Sequence, residues 1–313
     1  MNKKLFVNKK IFIGFMLFLL NFFCFYFFTL IDNKYNSFFF LYFNLFFILI
    51  IVFISTKEML NIDKKLKKKI KIIYFISVFF NFFYFLSLLI NFFIEYKKYN
   101  IQNYEKKYSL LKIIFLFDKL EYFLFFLFCL WMCFLFIQDF KITNLTFLFL
   151  ILIYIVFCST CFFTLIFLNY KWFFYLFIIT ISSDSFSFLG GRLFGYNLLF
   201  AKVSPKKTWE GFFIGLIVTF IIILLFFSNR LNIYNIFYFL IFSLLSCIIS
   251  SLGDLIASKL KREFSIKDFD SILPGHGGIL DRFDSLLFLS FFIVLFLSSP
   301  FSCFNKHILE IIN

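Results

Sequence analysis

The residues able to do chemistry are gathered in the C-terminal half of the chain. The denser group runs Gly253-Asp254-Leu255-Ile256-Ala257-Ser258-Lys259-Leu260-Lys261-Arg262, then Lys267-Asp268, then Pro274-Gly275-His276-Gly277-Gly278-Ile279-Leu280-Asp281-Arg282-Phe283-Asp284. Continued as a helix, Asp254, Ser258, Lys261 and Arg262 share one face, and Asp281 and Asp284 share a face where the next apolar run begins. An earlier group opens at Asp184, passes Gly190-Gly191-Arg192 and Gly195, and ends in Ser204-Pro205-Lys206-Lys207-Thr208-Trp209-Glu210-Gly211. An ionised carboxylate near the end of an apolar span is expensive unless water, a cation or a metal meets it, which makes Asp184 a functional candidate. Asp184, Asp254, Asp268, Asp281 and Asp284, with no soft ligand among them, suit a hard divalent cation, Mg²⁺ by default, and the neighbouring Lys and Arg suit phosphate oxygens. Ser204, Thr208 and two Lys beside a Pro turn, with Gly that lets backbone N–H groups approach a ligand, suit a phosphate group as well. Such a set performs phosphoryl or nucleotidyl transfer.

The elements that must position these residues are membrane helices. Of 313 residues, 63% are hydrophobic, 26% aromatic and only 15% charged, far from the balance of soluble domains. A spanning helix needs about 20 mostly apolar residues. Nine stretches meet that measure: 11–31, 37–55, 72–94, 118–137, 145–168, 172–189, 212–229, 236–256 and 283–299. The expected fold is therefore all-α, a polytopic helical bundle with an N-terminal transmembrane region over 1–170. A C-terminal catalytic region over 171–313 carries motif loops at 181–211 and 253–285. With a cytoplasmic N-terminus, 21 of the 31 Lys and Arg fall on inner segments, among them the tail, the loop from Lys57 to Lys71 and both motif stretches. The cluster from Lys64 to Lys69 is a topology signal in that scheme.

Sixty-three Phe beside Ala201 and Ala257 as the sole alanines reflect the drift of an AT-rich genome, so the residues that escape that drift carry the information. Nine of the ten Gly lie between Gly190 and Gly278. Six of the seven Cys sit inside apolar runs without a pairing framework, and Cys158-x-x-Cys161, inside a span, is a pair of small polarizable core residues. Two His are too few for a His-rich metal site. A transporter or channel would spread its intramembrane charges through several spans at mid-depth, whereas these cluster at span ends. A lipid kinase, or an enzyme that transfers a nucleotidyl group to one or another membrane lipid, would share the metal and phosphate features, and these stand as alternatives.

The run from Ser258 to Asp284, with Lys261-Arg262, Lys267-Asp268, Pro274, His276-Gly277-Gly278, Asp281-Arg282 and Asp284, resembles the signature of the phosphatidate cytidylyltransferases, the CDP-diacylglycerol synthases. Asp184-Ser185 with Gly191 and Gly195, and the segment from Ser204 to Gly211, resemble the same family at the expected distance. The likeness is sharp over 181–285, and departs from the family at Phe188, Ala257 and Asp270. It implies transfer of a cytidylyl group from CTP to phosphatidic acid, releasing diphosphate, in phospholipid biosynthesis. It implies one or two Mg²⁺ ions held among Asp184, Asp254, Asp268, Asp281 and Asp284. Asp254, Asp268, Asp281, Lys261, Arg262 and His276 would be catalytic, His276 as a turn-forming or phosphate-contacting residue in preference to a base. Ser204, Lys206, Lys207, Thr208, Ser258, Lys267, Gly277, Gly278 and Arg282 would bind substrate. The implied partners are CTP, phosphatidic acid, membrane lipids and a second copy of the chain, with no nucleic acid. The implied location is a bacterial inner (cytoplasmic) membrane, the active site facing the cytoplasm.

Overall fold

In lipid, a backbone can satisfy its own N–H and C=O groups only as helices or closed barrels, and long Phe- and Ile-rich runs without Gly or Pro take the first course. The computed structural model describes residues 39–62, 70–79, 81–83, 142–169, 171–200, 203–228, 233–272, 277–298, 308 and 311–312. Over these residues the chain forms α1 (Phe39–Ile62), α2 (Ile142–Ile151), a π-helical turn (Leu152–Phe157), α3 (Cys158–Leu168) and α4 (Lys171–Phe194). A short antiparallel hairpin of β1 (Leu198–Phe200) and β2 (Ser204–Thr208) follows, then α5 (Trp209–Phe227), α6 (Ile233–Glu263) and α7 (Leu280–Ser298).

Five stretches among the described residues are long and apolar enough to cross a bilayer: Phe43–Ile62, Thr146–Ile166, Lys171–Phe194, Trp209–Phe227 and Asn235–Glu263. The protein is an all-α polytopic membrane protein, as its hydropathy predicts. The span expected at 283–299 is helical as α7, with Asp281, Arg282 and Asp284 in its first turns. The spans expected at 11–31 and 118–137 lie outside the described residues, as do parts of that at 72–94.

Two boundaries differ from the sequence reading. Helix α4 runs on through Gly190 and Gly191 to Phe194, and α6 runs to Glu263, so much of both motif stretches is helix rather than loop. The cause in α4 is packing. A Cβ on Gly211 of α5 would lie 2.5 Å from the Ser187 carbonyl oxygen and 2.7 Å from the Gly191 nitrogen, and one on Gly190 would lie 2.8 Å from the Ile214 side chain. Small residues let two helices approach this closely, the usual basis of helix association in lipid. Gly190 and Gly211 serve that contact.

At the far end of the bundle an aromatic cluster fixes the same helices. Tyr175 of α4 stacks on Phe242 of α6 with ring centroids 5.7 Å apart, and its hydroxyl lies 3.2 Å from the Ser246 Oγ. Trp172 meets Phe242 edge-on at 6.3 Å. Pairs of this kind contribute about 0.5–1.5 kcal/mol each beyond their buried area. Intrahelical bonds satisfy several other buried hydroxyls, as Thr164 donates to the Thr160 carbonyl at 2.7 Å and Ser251 to that of Cys247 at 3.2 Å. Cys158, Cys161 and Cys247 are buried free thiols.

Candidate active site

The hairpin is anchored at both ends by the first residues of α5. The Thr208 hydroxyl accepts from the Gly211 amide at 3.1 Å, an N-cap that turns the chain from β2 into α5. Glu210 accepts from the Tyr196 and Asn197 amides, each at 3.2 Å. Thr208 thus serves the fold of the hairpin, and it also lines the cavity beside it.

So fixed, the hairpin roofs a cavity of about 210 Å³ lined by Asp184, Ser204, Lys207, Ser251 and Asp254, with Phe188 and Phe212 among its apolar walls. Lys207 from β2 forms an ion pair with Asp254 of α6. Both side chains remain about a quarter exposed, so each is open to a ligand. Asp184 and Asp284 bear electrostatically on Asp254 and on each other, with Lys207, Lys261 and Arg282 opposing them. Carboxylates from α4, α6 and α7 thus lie near enough to act on one another electrostatically, and cationic groups answer from β2, α6 and α7.

A second charged knot lies beside the first. Lys261 Nζ sits 2.8 Å from Asp281 Oδ1 and 3.9 Å from Asp284 Oδ2, with the Phe269 ring 5.1 Å away. These side chains are at most 10% exposed. Oδ2 of Asp281 accepts from the amides of Phe269 at 2.9 Å and Gly278 at 2.8 Å. Asp281 thereby ties the loop after α6 to the start of α7. The Gly278 amide, expected to face substrate, is engaged by Asp281. Gly277 has φ +82°, a left-handed conformation that L side chains rarely adopt, and a Cβ there would lie 2.7 Å from Asp281 Oδ2.

The other expected site residues divide plainly. Arg262 is exposed and spans two loops, its Nε donating to the Val203 carbonyl at 3.3 Å and its Nη1 to that of Ile266 at 3.1 Å. Ser258 is half-buried on α6, while Lys267 and Asp268 are exposed on the loop and do not line the cavity. His276 and the Lys206 side chain lie outside the described residues.

Glu58 is the participant that the sequence reading passes over. It is fully buried near the end of α1, and its carboxylate accepts from the amides of Ile279 at 2.6 Å and Leu280 at 2.8 Å. A negative charge is disfavoured near the C-terminal end of its own helix and favoured at the N-terminus of another, where unpaired N–H groups carry partial positive charge. Glu58 thus caps α7 from across the bundle. In the sequence it sits beside Lys57 at the start of the basic loop and reads as one more loop charge; only the extension of α1 to Ile62 carries it into the bundle.

The donor set fits a hard cation. Asp184 and Asp254 line one cavity, and beside it Lys261 Nζ supplies the positive charge between Asp281 and Asp284. Among the described residues no three His, Cys, Asp or Glu side chains form a ready-made metal cage. Mg²⁺ needs none, since it is usually held by one or two carboxylates with substrate phosphates and waters supplying the rest.

The model of the cytidylyltransferase family matches residues 8–299. The chain belongs to the cytidylyltransferase family. It is 47% identical over 109 residues to a phosphatidate cytidylyltransferase of Staphylococcus haemolyticus, covering 34% of this chain and 41% of that protein. A phosphatidate cytidylyltransferase of Haemophilus influenzae is 46% identical over 109 residues, 34% of this chain and 38% of its own length. One from Bacillus subtilis is 42% identical over 118 residues, 37% of this chain and 44% of its own length. The chain thus spans about two fifths of the length of the curated relatives it matches. The family model, in contrast, extends over nearly all of this cytidylyltransferase family member.

Proposed function

We propose that the protein is a phosphatidate cytidylyltransferase, which converts CTP and phosphatidic acid to CDP-diacylglycerol and diphosphate. The observation that carries this reading is the cavity roofed by the hairpin, where Asp184 and Asp254 meet Lys207, with the charged knot of Lys261, Asp281 and Asp284 beside it. The relatives named above supply the substrates.

The lipid phosphate oxygen attacks the α-phosphorus of CTP, the bond to the β-phosphate bridging oxygen breaks, and diphosphate leaves, so no protein nucleophile is required. Catalysis is then positioning and charge neutralisation. Asp184, Asp254 and Asp284, with Asp281, would hold Mg²⁺, which supplies neutralising charge on the triphosphate. Lys207 holds a phosphate oxygen at the cavity, released from Asp254 as phosphate replaces the carboxylate, and Arg282 adds positive charge nearby. Lys261 and Arg262 support the triphosphate end. The catalytic unit is the C-terminal region over 171–313, in a bacterial inner membrane with the cavity open to cytoplasmic CTP.

The test is direct. Purified membranes containing the protein, given CTP labelled in its cytidine and phosphatidic acid, should move label into a lipid that co-migrates with CDP-diacylglycerol. EDTA should stop the transfer and Mg²⁺ restore it. Label that remains water-soluble with phosphatidic acid present, in a protein shown to be inserted and intact, overturns the reading.

A further inference from the structure

The cavity roofed by the hairpin is charged at one wall and aromatic at another. Asp184, Lys207 and Asp254 line it together with Phe188 of α4 and Phe212 of α5. The charges follow from the reaction proposed above, whereas the two rings have no part in it. Phe212 meets Trp209 edge-on, with centroids 6.3 Å apart and planes at 87°. Phe188 is 59% exposed and contacts no other aromatic ring among the described residues, Phe212 included. Two rings that line one cavity without touching leave a gap between them.

A close backbone contact sets that gap. Phe188 follows Ser187 and Phe212 follows Gly211, and a Cβ on Gly211 would lie 2.5 Å from the Ser187 carbonyl oxygen. The rings therefore stand on neighbouring points of two helices locked together, and Trp209 holds the orientation of one of them. Such preorganisation lowers the entropic cost of taking up a ligand.

The occupant follows from size and polarity. Sites for drug-sized ligands run to about 300–1,000 Å³, so a cavity of about 210 Å³ takes one end of a substrate and not a pair of long acyl chains. Besides its charges and rings the cavity carries hydroxyls, and that of Ser204 on β2 has no hydrogen-bond partner among the described residues. An acyl chain leaves such a hydroxyl unpaired. A nucleobase has apolar faces to lie against rings and a polar edge to meet a hydroxyl.

Resting on the function proposed above, we infer that the pyrimidine ring of CTP lies between Phe188 and Phe212, with its polar edge toward Ser204 and its triphosphate toward Lys207. The rings thereby distinguish a nucleoside triphosphate from a bare polyphosphate, which would meet the same lysine.

The experiment measures label transfer by purified, detergent-solubilised full-length protein. Phe188→Leu removes the flat ring and keeps an apolar side chain, while Phe188→Tyr keeps the ring. Phe188→Leu should raise the KM for CTP about fivefold or more, the low end of the loss when a ring that stacks on a base is removed. Its Tm should not change, nor the KM for phosphatidic acid, varied as its surface fraction in mixed micelles. Inorganic triphosphate, which has no base, should inhibit it with the wild-type constant, and Phe188→Tyr should keep the wild-type KM for CTP. Phe212→Leu should raise the same KM and likewise spare inhibition by inorganic triphosphate. An unchanged KM for CTP in either leucine variant overturns the inference. So does a rise matched by weaker inhibition by inorganic triphosphate, which marks a disturbed charged wall, or a rise confined to phosphatidic acid, which gives the ring to the lipid. A wild type that transfers no label overturns the proposed function itself, so the two failures are distinct.

Discussion

Glu58 and Asp281 together hold the start of α7, and each holds it differently. Glu58 takes the amides of Ile279 and Leu280, while Asp281 takes those of Phe269 and Gly278. Truncating Glu58 to Ala leaves a helix N-terminus buried with its donors unpaired, at a cost of about 2–4 kcal/mol for lost bonds to a charged acceptor. We expect Glu58→Ala to lower Tm and to reduce turnover at least tenfold, and Glu58→Gln, which keeps one acceptor oxygen, to recover part of both. Thermal inactivation and label transfer measured on the same preparations check it. If Glu58→Ala equals wild type in both, the cap has no energetic weight. At this scale the sequence was informative about kind and weak about partner. Five aspartates were legible as a group because each is a charge in an apolar chain, but nothing in their spacing tells that Lys261 lies between Asp281 and Asp284, or that Thr208 caps a helix. The lysine's place depends on contacts between residues far apart in the chain, and the cap on where the hairpin ends and α5 begins.

Glycines mark the element scale. In the sequence, Gly190, Gly191 and Gly211 read equally as places for a ligand to approach backbone; in the fold the surface that approaches is another helix. The ambiguity is physical, because a missing Cβ permits close approach by anything. Gly211→Ala tests the assignment. At an ordinary helix position this change is favourable by about 1 kcal/mol. Here the new Cβ would meet the Ser187 carbonyl oxygen at 2.5 Å and the Gly191 backbone at 2.7–2.8 Å, so α4 and α5 must separate. Overpacking of this kind costs about 1–3 kcal/mol. The expected outcome is a lower Tm together with loss of label transfer, because Asp184 on α4 and the hairpin leading into α5 line the same cavity. An alanine variant at least as stable as wild type would show that the helices do not meet there. The hairpin and the π-turn were illegible for a different reason: both depend on tertiary contacts, and a local pattern of apolar residues is the same with or without them.

Across the whole molecule, three long-range contacts collect the charged helix ends at one end of the bundle. Glu58 joins the end of α1 to the start of α7, Arg262 joins the end of α6 to Val203 beside the hairpin, and Lys207 joins β2 to Asp254. Hydropathy located the helices, and the excess of basic residues on alternate loops suggested that the loop from Lys57 to Lys71 and both motif stretches lie on one side. The contacts support the grouping independently, while the choice of side rests on charge. Reporter fusions after Lys71, near Lys202 and near Asp270 should therefore all report cytoplasm, and one near Asn232, between α5 and α6, should report the opposite side. The first three must agree with one another whichever side they report, because Glu58 cannot reach Ile279 across a bilayer. Disagreement between Lys71 and Asp270 would break the cap on α7. Agreement on the outer side would leave the bundle intact but place Lys207 and Asp254 away from CTP, and a cytidylyltransferase so oriented has no nucleotide to use.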